Sequence, residues 1–483
     1  MELLRIQGSR AALLALRELP ELHVVGSSAI DRGDGSWLVS AYAPDGVALE
    51  GLRERGLSVE RLKPAEQVRR EWDAARAEPV GYVSSDALSE RLGRLASEHP
   101  DVCAVETLPH RTHEGRDVSM LRVGTGSTAA VVVLGGVHAR EWAPPDALLS
   151  LAERLVGAYA DDRAFEHAQW VDETSRPPIT YAAWTVPAAE VKRIVEGVTL
   201  VLVPLVNPDG RDFTFAGTDD LHYMWRKNRR PRTAGHTGQW CVGVDLNRNF
   251  DIAWDFERYY NAAAATEVQS SKNACDPQIY IGPSAASEPE TRNIQSLVTE
   301  LRPSHFMDVH SYARDILFPW GMDDDQAREP TQNFHNSDWD RTGPHHGRDG
   351  AGGSYGEYLP SDLATAHAAI ARRMRDAMRD QAGADPTARR RSIYTVKQAL
   401  GLYPTTGTTD DYCTSLTMLD GSRPATYAFC LECGIDQSPG DPTDNEGGFH
   451  PDYATKFPKI EREVHAAVIA LVRSALHGAV VAS

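Results

Sequence analysis

The stretch at residues 135–142, with the sequence GGVHAREW, holds the side chains best suited to chemistry. It follows the apolar run at residues 129–134, which predicts a buried strand that ends at the glycine pair. His138 and Glu141 would then emerge at the carboxyl end of the strand, the edge where open α/β sheets bind ligands. An imidazole and a carboxylate spaced in this way can share one Zn²⁺ ion.

The pair alone does not establish a metal site. The chain has 17 His, and Glu makes up roughly one residue in fifteen of ordinary sequences, so about one His-x-x-Glu arises by chance. A surface histidine beside a solvated glutamate is therefore the plain alternative. A catalytic zinc site needs a third protein ligand. His310, in the sequence MDVHSY, ends a second apolar run and can reach the same sheet edge, although a histidine there can also belong to the core.

Length and composition restrict the classes of protein. The chain has 483 residues, of which 41% are hydrophobic and 24% charged, so we expect one large soluble domain and a smaller one. A net charge of −18 argues against nucleic acid and anionic membranes as partners. Glu2, Arg5, Arg10 and Arg17 interrupt the N-terminal stretch, so we expect no signal peptide. This favours a cytoplasmic location, or secretion if a leader has been removed.

The first 63 residues predict a small domain that precedes the candidate site. Strands are expected at residues 3–6, 23–25, 37–42 and 58–62, and helices at 10–19 and 47–56. This βαββαβ order is typical of a ferredoxin-like α+β domain. Residues 64–80 are charged, contain little apolar material and predict a helical connector.

Residues 81–483 predict the larger domain, with an α/β fold. Helices are expected at residues 84–99, 144–158, 289–301 and 464–475, and strands at 102–107, 119–123, 129–134, 199–206 and 305–309. This alternation indicates a mainly parallel, mixed and twisted sheet with helices on both faces. The stretch NPDG at 207–210 predicts a turn, and residues 323–362 predict a long surface loop near the site.

Further motifs then join the first pair. They are EGR at 114–116, HAREW at 138–142, NPDG at 207–210, MWRK at 224–227, CVGVDLNRNF at 241–250, HSY at 310–312, Tyr403 and FCLE at 429–432. In this order, the motifs from about Tyr82 to the end resemble the zinc carboxypeptidases of the carboxypeptidase A/B family. Residues 1–63 resemble the propeptide domain of that family. The resemblance implies the zinc carboxypeptidase fold.

The resemblance also implies a reaction and its catalytic residues. His138, Glu141 and His310 would hold one Zn²⁺ per chain. Glu432 would be the general base that activates water and hands the proton to the leaving amine. Arg226 would stabilise the oxyanion of the tetrahedral intermediate. The implied activity is hydrolysis of the C-terminal peptide bond of a peptide or protein.

The implied substrate-binding residues explain why such an enzyme removes residues from a chain end. Asn247 and Arg248 would grip the terminal carboxylate, which a guanidinium fork recognises bidentately. Tyr403 would close over the substrate, and Arg140 would line the same cleft. Solvation at the surface is the ordinary alternative for both arginines.

Specificity and pocket shape depend on fewer residues. Asp410 falls at the pocket-floor position of the family and implies a preference for C-terminal Lys or Arg. The alternative is that Asp410 points away while Asp411 only braces the loop. Ser311 and Tyr312, which follow His310, would shape the pocket or hydrogen-bond the substrate.

Six cysteines in a chain of this length do not indicate a disulfide scaffold. Cys241 and Cys275 match a disulfide pair of the family, which would fit export. Cys430 and Cys433 form a Cys-x-x-Cys around Glu432, for which redox and structural-zinc roles are open. Buried thiols, or a second disulfide that includes Cys413, are the favoured alternatives.

Two other functions remain open from the sequence. One is a zinc amidase that acts on cell-wall peptides or modified tails, with residues 323–362 imposing the selectivity. The other is a non-catalytic peptide-binding relative. Retention of Glu432 and Arg226 argues against the second function, because a binding protein needs no general base.

The N-terminal lobe, residues 1–63, is expected to cap the cleft as an intramolecular inhibitor. Cleavage near Arg69, Arg70 or Arg76 would then release activity. In a chain that is never exported, the lobe would instead be a permanent folding or docking module.

Overall fold

A computed structural model provides the fold of the protein. It describes residues 1–477 except 20, 48, 76–80, 125, 127, 128, 402 and 440. No helix among these residues is both long enough and apolar enough to cross a membrane.

The N-terminal lobe has the predicted βαββαβ order. Its elements are β1 (Glu2–Ser9), α1 (Arg10–Leu14), β2 (His23–Asp31), β3 (Ser36–Ala43), α2 (Leu49–Glu54) and β4 (Ser58–Lys63). The sheet order is β2-β3-β1-β4, and the three neighbouring pairs are antiparallel. This arrangement is ferredoxin-like. The first predicted helix is shorter as an α-helix, because residues 15–18 tighten into a 3₁₀ turn.

The rest of the chain forms one large α/β unit. Its helices are α3 (Ala65–Ala75), α4 (Ser85–Glu98), α5 (Ala143–Ala160), α6 (Ala188–Gly197), α7 (Pro208–Ala216), α8 (Asp220–Tyr223), α9 (Phe256–Tyr259), α10 (Pro289–Leu301), α11 (Ser361–Asp380), α12 (Pro386–Arg391), α13 (Thr409–Leu419) and α14 (Phe457–Leu476). The strands of the main sheet are β5 (Cys103–Thr107), β6 (Ser119–Val123), β7 (Ala130–Gly135), β12 (Thr199–Val203), β13 (His305–His310), β14 (Asp315–Phe318), β17 (Thr395–Gln398) and β18 (Tyr427–Glu432). Short strands between them are β8 (Phe165–His167), β9 (Trp170–Asp172), β10 (Ile179–Tyr181), β11 (Trp184–Val186), β15 (Asp325–Gln326), β16 (Glu357–Tyr358), β19 (Gln437–Ser438) and β20 (Asp441–Asn445).

The main sheet has eight strands in the order β17-β14-β18-β13-β7-β12-β6-β5. Its centre is parallel, since β7 runs parallel to β12 and β13, and β13 runs parallel to β18. On one side of this centre β14 runs antiparallel to β18 and parallel to the edge strand β17. On the other side β6 runs antiparallel to both β12 and β5. Val131 to Val133 of β7 are fully buried, as expected for a strand that is covered on both faces. The predicted mixed sheet is confirmed.

Two predicted elements differ from the observed ones. The strand predicted at residues 199–206 ends at Val203, because Pro204 has no N–H for the ladder. The turn predicted at 207–210 is instead the start of helix α7. Asn207 is its N-cap, and the Asn207 side-chain oxygen accepts a hydrogen bond from the Gly210 N–H at 2.9 Å.

The segment at residues 323–362, all of it described, contains the short strands β15 and β16 and packs around its own buried side chains. The buried guanidinium of Arg348 lies over the rings of Tyr259 and Tyr355, at 5.0 and 4.9 Å from their centroids. None of the residues that line the candidate cleft comes from this segment. The segment therefore does not line the cleft, and the structure gives no reason for assigning it substrate selectivity.

The connector helix α3 buries one face, although the sequence indicated little apolar material there. Val68, Trp72 and Ala75 are buried, and the Trp72 ring lies 4.7 Å from the ring of Tyr223. This spacing of three and four positions places the apolar side chains on one side of the helix. The connector therefore packs as part of the core.

The lobe is seated on the large unit through buried contacts. The Lys63 ammonium and the Asp436 carboxylate form an ion pair with side-chain exposures of 3% and 2%. Next to this pair, the ring of Tyr42 stacks on that of Phe449 at 5.9 Å. A buried pair of opposite charges depends on both partners remaining in place. These contacts of Lys63 with Asp436 and of Tyr42 with Phe449, which we call the seat of the lobe, are therefore buried like the interior of a domain.

Candidate active site

Three buried ligands converge at the carboxyl end of the main sheet. His138 and Glu141 follow β7, and His310 ends the neighbouring parallel strand β13. His138 Nδ1 lies 2.7 Å from Glu141 Oε1, and His310 Nδ1 lies 3.0 Å from both Glu141 Oε2 and His138 Nδ1. The donor atoms all lie within 4.8 Å of one another. Two imidazole nitrogens and one carboxylate this close fit a single zinc ion with an open position.

A second layer of carboxylates orients the two imidazoles. His138 Nε2 lies 3.1 Å from Asp245 Oδ1, and His310 Nε2 lies 2.9 Å from Asp308 Oδ2. Each ring therefore presents its Nδ1 to the shared point between them. Such carboxylate partners fix the orientation of metal-binding histidines and raise their basicity. The sequence-based predictions had not assigned a role to either aspartate.

The protonation of the two histidines differs. Burial, together with the nearby Arg226 guanidinium, lowers the pKa of His138 and favours the neutral ring. For His310, burial is outweighed by the carboxylates of Asp308 and Glu141, which hold its pKa well above the ordinary value. A metal ligand must be a neutral imidazole, so we expect metal loading to release a proton here.

Glu432 lies beside the three ligands. It ends β18 and pairs in register with His310, and its side chain lines the cleft. Its Oε2 atom has no hydrogen-bond partner among the described residues. Burial and the Glu141 carboxylate raise the pKa of Glu432 to about 8. A carboxyl group with a pKa near neutrality, in a cleft, suits general acid–base chemistry.

Arg226 is held next to the ligands by a salt bridge. Its Nε donates to Asp245 Oδ2 at 3.0 Å, and its Nη1 lies 3.9 Å from Glu141 Oε1. The following residues anchor this segment, since the Lys227 ammonium donates to two backbone carbonyls at 2.7 Å. Asn228 donates to Glu288 at 2.8 Å. The guanidinium is thus fixed where it can face negative charge that develops in the cleft.

Asn247 and Arg248 form a short turn that lines the same cleft. The Asn247 side-chain oxygen accepts a hydrogen bond from the Thr409 N–H at 2.9 Å. Arg248 donates to the carbonyls of Gln269 at 2.7 Å and Asn247 at 2.5 Å. These bonds hold an amide and a guanidinium side by side in the wall of the cleft.

Arg140 is buried in the wall of the cleft rather than solvated. Its Nη2 donates to Gln278 Oε1 at 2.9 Å, and its guanidinium lies 4.2 Å from the Phe449 ring centroid. Burial lowers the pKa of Arg140 to about 10. Arg140 therefore provides a fixed positive charge beside the metal ligands.

Tyr403 lies in the cleft beneath the N-terminal lobe. It lines the cleft together with Gly26 of β2. A Cβ atom at Gly26 would lie 2.8 Å from the Tyr403 hydroxyl oxygen, so a side chain at position 26 would clash with Tyr403. The lobe and the predicted substrate-binding tyrosine thus meet directly.

Asp410 and Asp411 start helix α13 and have different surroundings. Asp410 lines the cleft, and its Oδ2 has no hydrogen-bond partner among the described residues. Burial raises the pKa of Asp410. Asp411 instead accepts hydrogen bonds from the Gly321 N–H at 3.0 and 3.1 Å. The structure therefore places Asp410 in the pocket and uses Asp411 to brace the neighbouring loop.

Ser311 and Tyr312 point in different directions. Ser311 lines the cleft, and its N–H donates to Glu141 Oε2 at 3.1 Å. Tyr312 is buried outside the cleft, with its ring 4.8 Å from that of Phe449. Its carbonyl accepts a hydrogen bond from Ser27 of the lobe at 3.1 Å. Tyr312, predicted to shape the pocket or hydrogen-bond the substrate, does not line the cleft, because its ring packs between the lobe and the large unit.

The cysteines divide into one disulfide and several buried thiols. Cys241 and Cys275 form the disulfide that the family resemblance implies. Cys413, Cys430 and Cys433 are free and buried, and burial raises the pKa of each thiol well above its ordinary value. Such thiols are poor nucleophiles. The Cys-x-x-Cys around Glu432 is therefore a pair of buried thiols.

Comparison with known proteins identifies the family of the chain. The model of the zinc carboxypeptidase family matches residues 88–452. Carboxypeptidase B of Astacus astacus is 29% identical over 250 residues, which are 51% of this chain and 66% of that protein. The chain therefore spans less than two thirds of the length of this curated relative.

Two solved structures share the fold. Thrombin activatable fibrinolysis inhibitor superposes with a TM-score of 0.66 at 17% identity, over 99% of both chains. Carboxypeptidase A of Helicoverpa armigera has a TM-score of 0.66 at 20% identity, over 99% of this chain and 98% of that one. The family model covers well over half of the sequence, including every candidate site residue. The chain belongs to the zinc carboxypeptidase family.

Proposed function

We propose that the protein is a zinc-dependent exopeptidase that hydrolyses the C-terminal peptide bond of peptides or proteins. The observation that carries this proposal is the convergence of three site parts in one cleft. The buried ligands His138, Glu141 and His310 lie beside the carboxyl of Glu432. Arg248 lines the same cleft and provides a guanidinium for a terminal carboxylate.

The arrangement supports a division of labour among the side chains. When bound, Zn²⁺ supplies Lewis-acid polarisation of the scissile carbonyl and acidifies water. Glu432 takes the proton from the attacking water and delivers it to the leaving nitrogen. Arg226, held by Asp245, neutralises the oxyanion. Arg248 and Asn247 hold the terminal carboxylate, so that the last peptide bond is the one presented to Glu432.

Release of residues from a peptide library, read by mass spectrometry with and without a zinc chelator, tests the proposal. We expect stepwise shortening from the C-terminus that the chelator abolishes. Peptides with an amidated C-terminus are the matched control, because they offer no carboxylate to Arg248 and should remain intact. Internal cleavage, or equal hydrolysis of amidated peptides, would contradict the exopeptidase assignment.

We further propose a preference for C-terminal Lys or Arg, supported by Asp410, which lines the cleft and whose Oδ2 atom has no hydrogen-bond partner among the described residues. Asp410→Asn should lower kcat/KM for a C-terminal Arg at least ~30-fold, because losing one partner of a buried charge pair costs about 2 kcal/mol or more. Hydrolysis of a C-terminal Leu should change little. Rates on matched peptides that differ in the last residue give this ratio.

Asp420→Asn, at the exposed end of α13, is the control for that substitution. It removes the same charge from the same helix without entering the cleft. If Asp410→Asn leaves the ratio of kcat/KM for a C-terminal Arg to that for a C-terminal Leu unchanged, Asp410 does not form the floor of the specificity pocket.

We also propose that the N-terminal lobe is an intramolecular inhibitor, in the sense that it narrows access to the cleft. The proposal is supported by residues 24–27 and Ala29 of β2, which line the cleft. Arg69 and Arg70 lie within helix α3, and Arg69 is bonded to Asp220 at 2.7 Å, so both are poorly presented to a protease. The remaining predicted cleavage position, Arg76, lies outside the described residues.

Trypsin cleavage followed by chromatographic removal of the lobe tests this role. Once residues 24–27 no longer line the cleft, the C-terminus of a folded protein should be hydrolysed at least ~10-fold faster. A decrease of about 1.4 kcal/mol in the free energy needed to enter the cleft is enough for this change. Uncut protein carried through the same chromatography is the control. If uncut and trimmed proteins act equally on the folded substrate, the lobe is not an inhibitor.

A further inference from the structure

We propose that His113, Glu288 and Glu290 form a second metal site, which binds one divalent transition-metal ion and links three segments of the large unit. None of these residues belongs to the candidate active site, so the inference goes beyond the proposed hydrolysis and does not depend on it. One imidazole and two carboxylates are ligand types that Zn²⁺ accepts in proteins. The ion would serve the stability of the fold rather than the reaction.

The first observation is that three side chains from distant parts of the chain converge. His113 lies in the loop between β5 and β6, whereas Glu288 and Glu290 lie at the start of α10. One donor atom from each residue lies within 4.8 Å of the other two, and His113 Nε2 lies 2.9 Å from Glu288 Oε2. Donor atoms in a tetrahedral zinc site are about 3.3 Å apart, because each bond is about 2.0–2.1 Å long. The three side chains can therefore close on one ion with small movements.

The second observation is a buried carboxylate oxygen that lacks a donor. Glu290 is fully buried, and its Oε2 atom accepts a hydrogen bond from the Asn228 side-chain nitrogen at 3.1 Å. The same nitrogen donates to Glu288 Oε2 at 2.8 Å, so the carboxyl group of Glu290 is turned toward the cluster. Its other oxygen, Oε1, has no hydrogen-bond partner among the described residues. Such burial costs free energy, and a cation would supply the missing partner.

Further contacts fix the Glu288 carboxylate in place. Arg230 Nη1 and the Ser287 hydroxyl donate to Glu288 Oε1 at 2.8 and 2.6 Å. Outer partners of this kind hold metal ligands in their orientation. The Arg230 guanidinium also repels a cation. We therefore expect this site to bind zinc more weakly than the candidate catalytic site and to lose its ion on dialysis.

The types of ligand and their exposure select the class of ion. The His113 side chain is 22% exposed, whereas Glu288 and Glu290 are fully buried. The histidine therefore marks the side from which an ion enters the site. An imidazole nitrogen suits zinc and other transition metals, whereas Ca²⁺ and Mg²⁺ take oxygen ligands. We expect zinc, but not calcium, to occupy the site.

The site joins the segment that carries Arg226 to two other segments. Asn228, two residues after Arg226, donates to both glutamates, and its side-chain oxygen accepts a hydrogen bond from the Val244 N–H at 2.9 Å. His113 brings in the loop between β5 and β6, and Glu288 is the N-cap of α10. An ion held by the three ligands therefore exists only in the folded chain. Binding to the folded state alone stabilises it against unfolding.

Isothermal titration calorimetry of the full chain tests the site. The protein is first dialysed so that it keeps one zinc ion per chain, and Zn²⁺ is then added. We expect one further equivalent per chain to bind. His113→Ala should weaken this binding at least ~100-fold, because loss even of an outer partner of a ligand costs about 10- to 100-fold.

His110→Ala is the matched control on the same loop. The backbone N–H and carbonyl of His110 are bonded to the Asn293 side chain at 2.8 and 2.7 Å, so the substitution keeps these bonds. Zinc at about 100 times the measured Kd should raise the midpoint of thermal unfolding by about 2–3 °C. This rise should persist in His110→Ala and be absent from His113→Ala.

Glu290→Gln tests the buried oxygen while keeping the size of the side chain. We expect it to weaken binding of the added ion at least ~10-fold. Glu300→Gln, exposed on the same helix α10, is its control and should bind the ion as the unmodified protein does. If Glu290→Gln does not fold, the partly exposed His113 decides the question.

Absence of a second equivalent in the unmodified protein would overturn the site. Equal binding of the added ion by His113→Ala and His110→Ala would also overturn it, because the ion would then be adventitious. Calcium that binds as tightly as zinc would overturn the assignment to a transition metal. These results do not depend on hydrolysis, since calorimetry measures binding and no variant alters His138, Glu141 or His310.

Discussion

Glu432→Gln should lower kcat at least ~100-fold while changing peptide binding little. The substitution keeps the size of the side chain but removes the group that accepts and returns the proton. Because Glu432 Oε2 has no partner among the described residues, the amide disturbs no hydrogen bond at that atom. The variant should still bind a C-terminal peptide, which makes turnover and binding separable in one protein.

Single-turnover hydrolysis and fluorescence anisotropy measure these two quantities. Glu300→Gln, near the C-terminal end of α10 and exposed, is the control for the loss of a carboxylate. Turnover equal to that of the unmodified protein would remove Glu432 from the mechanism. If the unmodified protein itself binds peptides but never cleaves them, the chain is a binding relative rather than an enzyme.

His310→Ala is expected to abolish activity by removing a metal ligand. Loss of outer carboxylate partners of zinc ligands costs about 10- to 100-fold in metal affinity, so loss of a direct ligand should cost more than ~100-fold. The remaining pair, His138 and Glu141, cannot complete the three-ligand set of a catalytic zinc site. We expect zinc content after dialysis to fall from one ion per chain to a small fraction, in parallel with turnover.

Zinc content by mass spectrometry, together with peptide hydrolysis, measures this loss. His236→Ala, at an exposed position, is the control and should keep full metal content. Asp308→Asn, which alters only the partner of His310, should fall between the two. A His310→Ala protein that retains both zinc and activity would contradict the assigned ligand set.

His138 and His310 could be predicted because apolar runs in the sequence stop at or shortly before them, whereas the role of Glu432 was implied by the family resemblance. β7, β13 and β18 are central strands of the sheet, and their carboxyl ends meet at one edge. The aspartates behind the ligands carried less signal. Asp308 is an acidic residue inside an otherwise apolar strand, which indicates a buried partner but does not identify it.

Other features depend on contacts that no local pattern records. Tyr312 follows a metal ligand, yet its ring packs with Phe449 because both belong to the seat of the lobe. The apolar positions of α3 were hidden among charged residues, and only the Trp72 contact with Tyr223 shows that the helix is part of the core. The place of residues 323–362 depended on tertiary packing around Arg348.

The shared core of the lobe and the large unit has a consequence for how the protein can be made. Leu3, Tyr42 and Trp72 belong to the same apolar cluster as Trp142, Met307 and Leu431. Expression of residues 81–483 by themselves would withhold these partners while the large unit folds, so we expect a lower yield of folded protein than from the full chain. The first 75 residues are therefore expected to assist folding of the rest of the chain. Substitutions on one side of the shared cluster are expected to be accompanied by compensating substitutions on the other side.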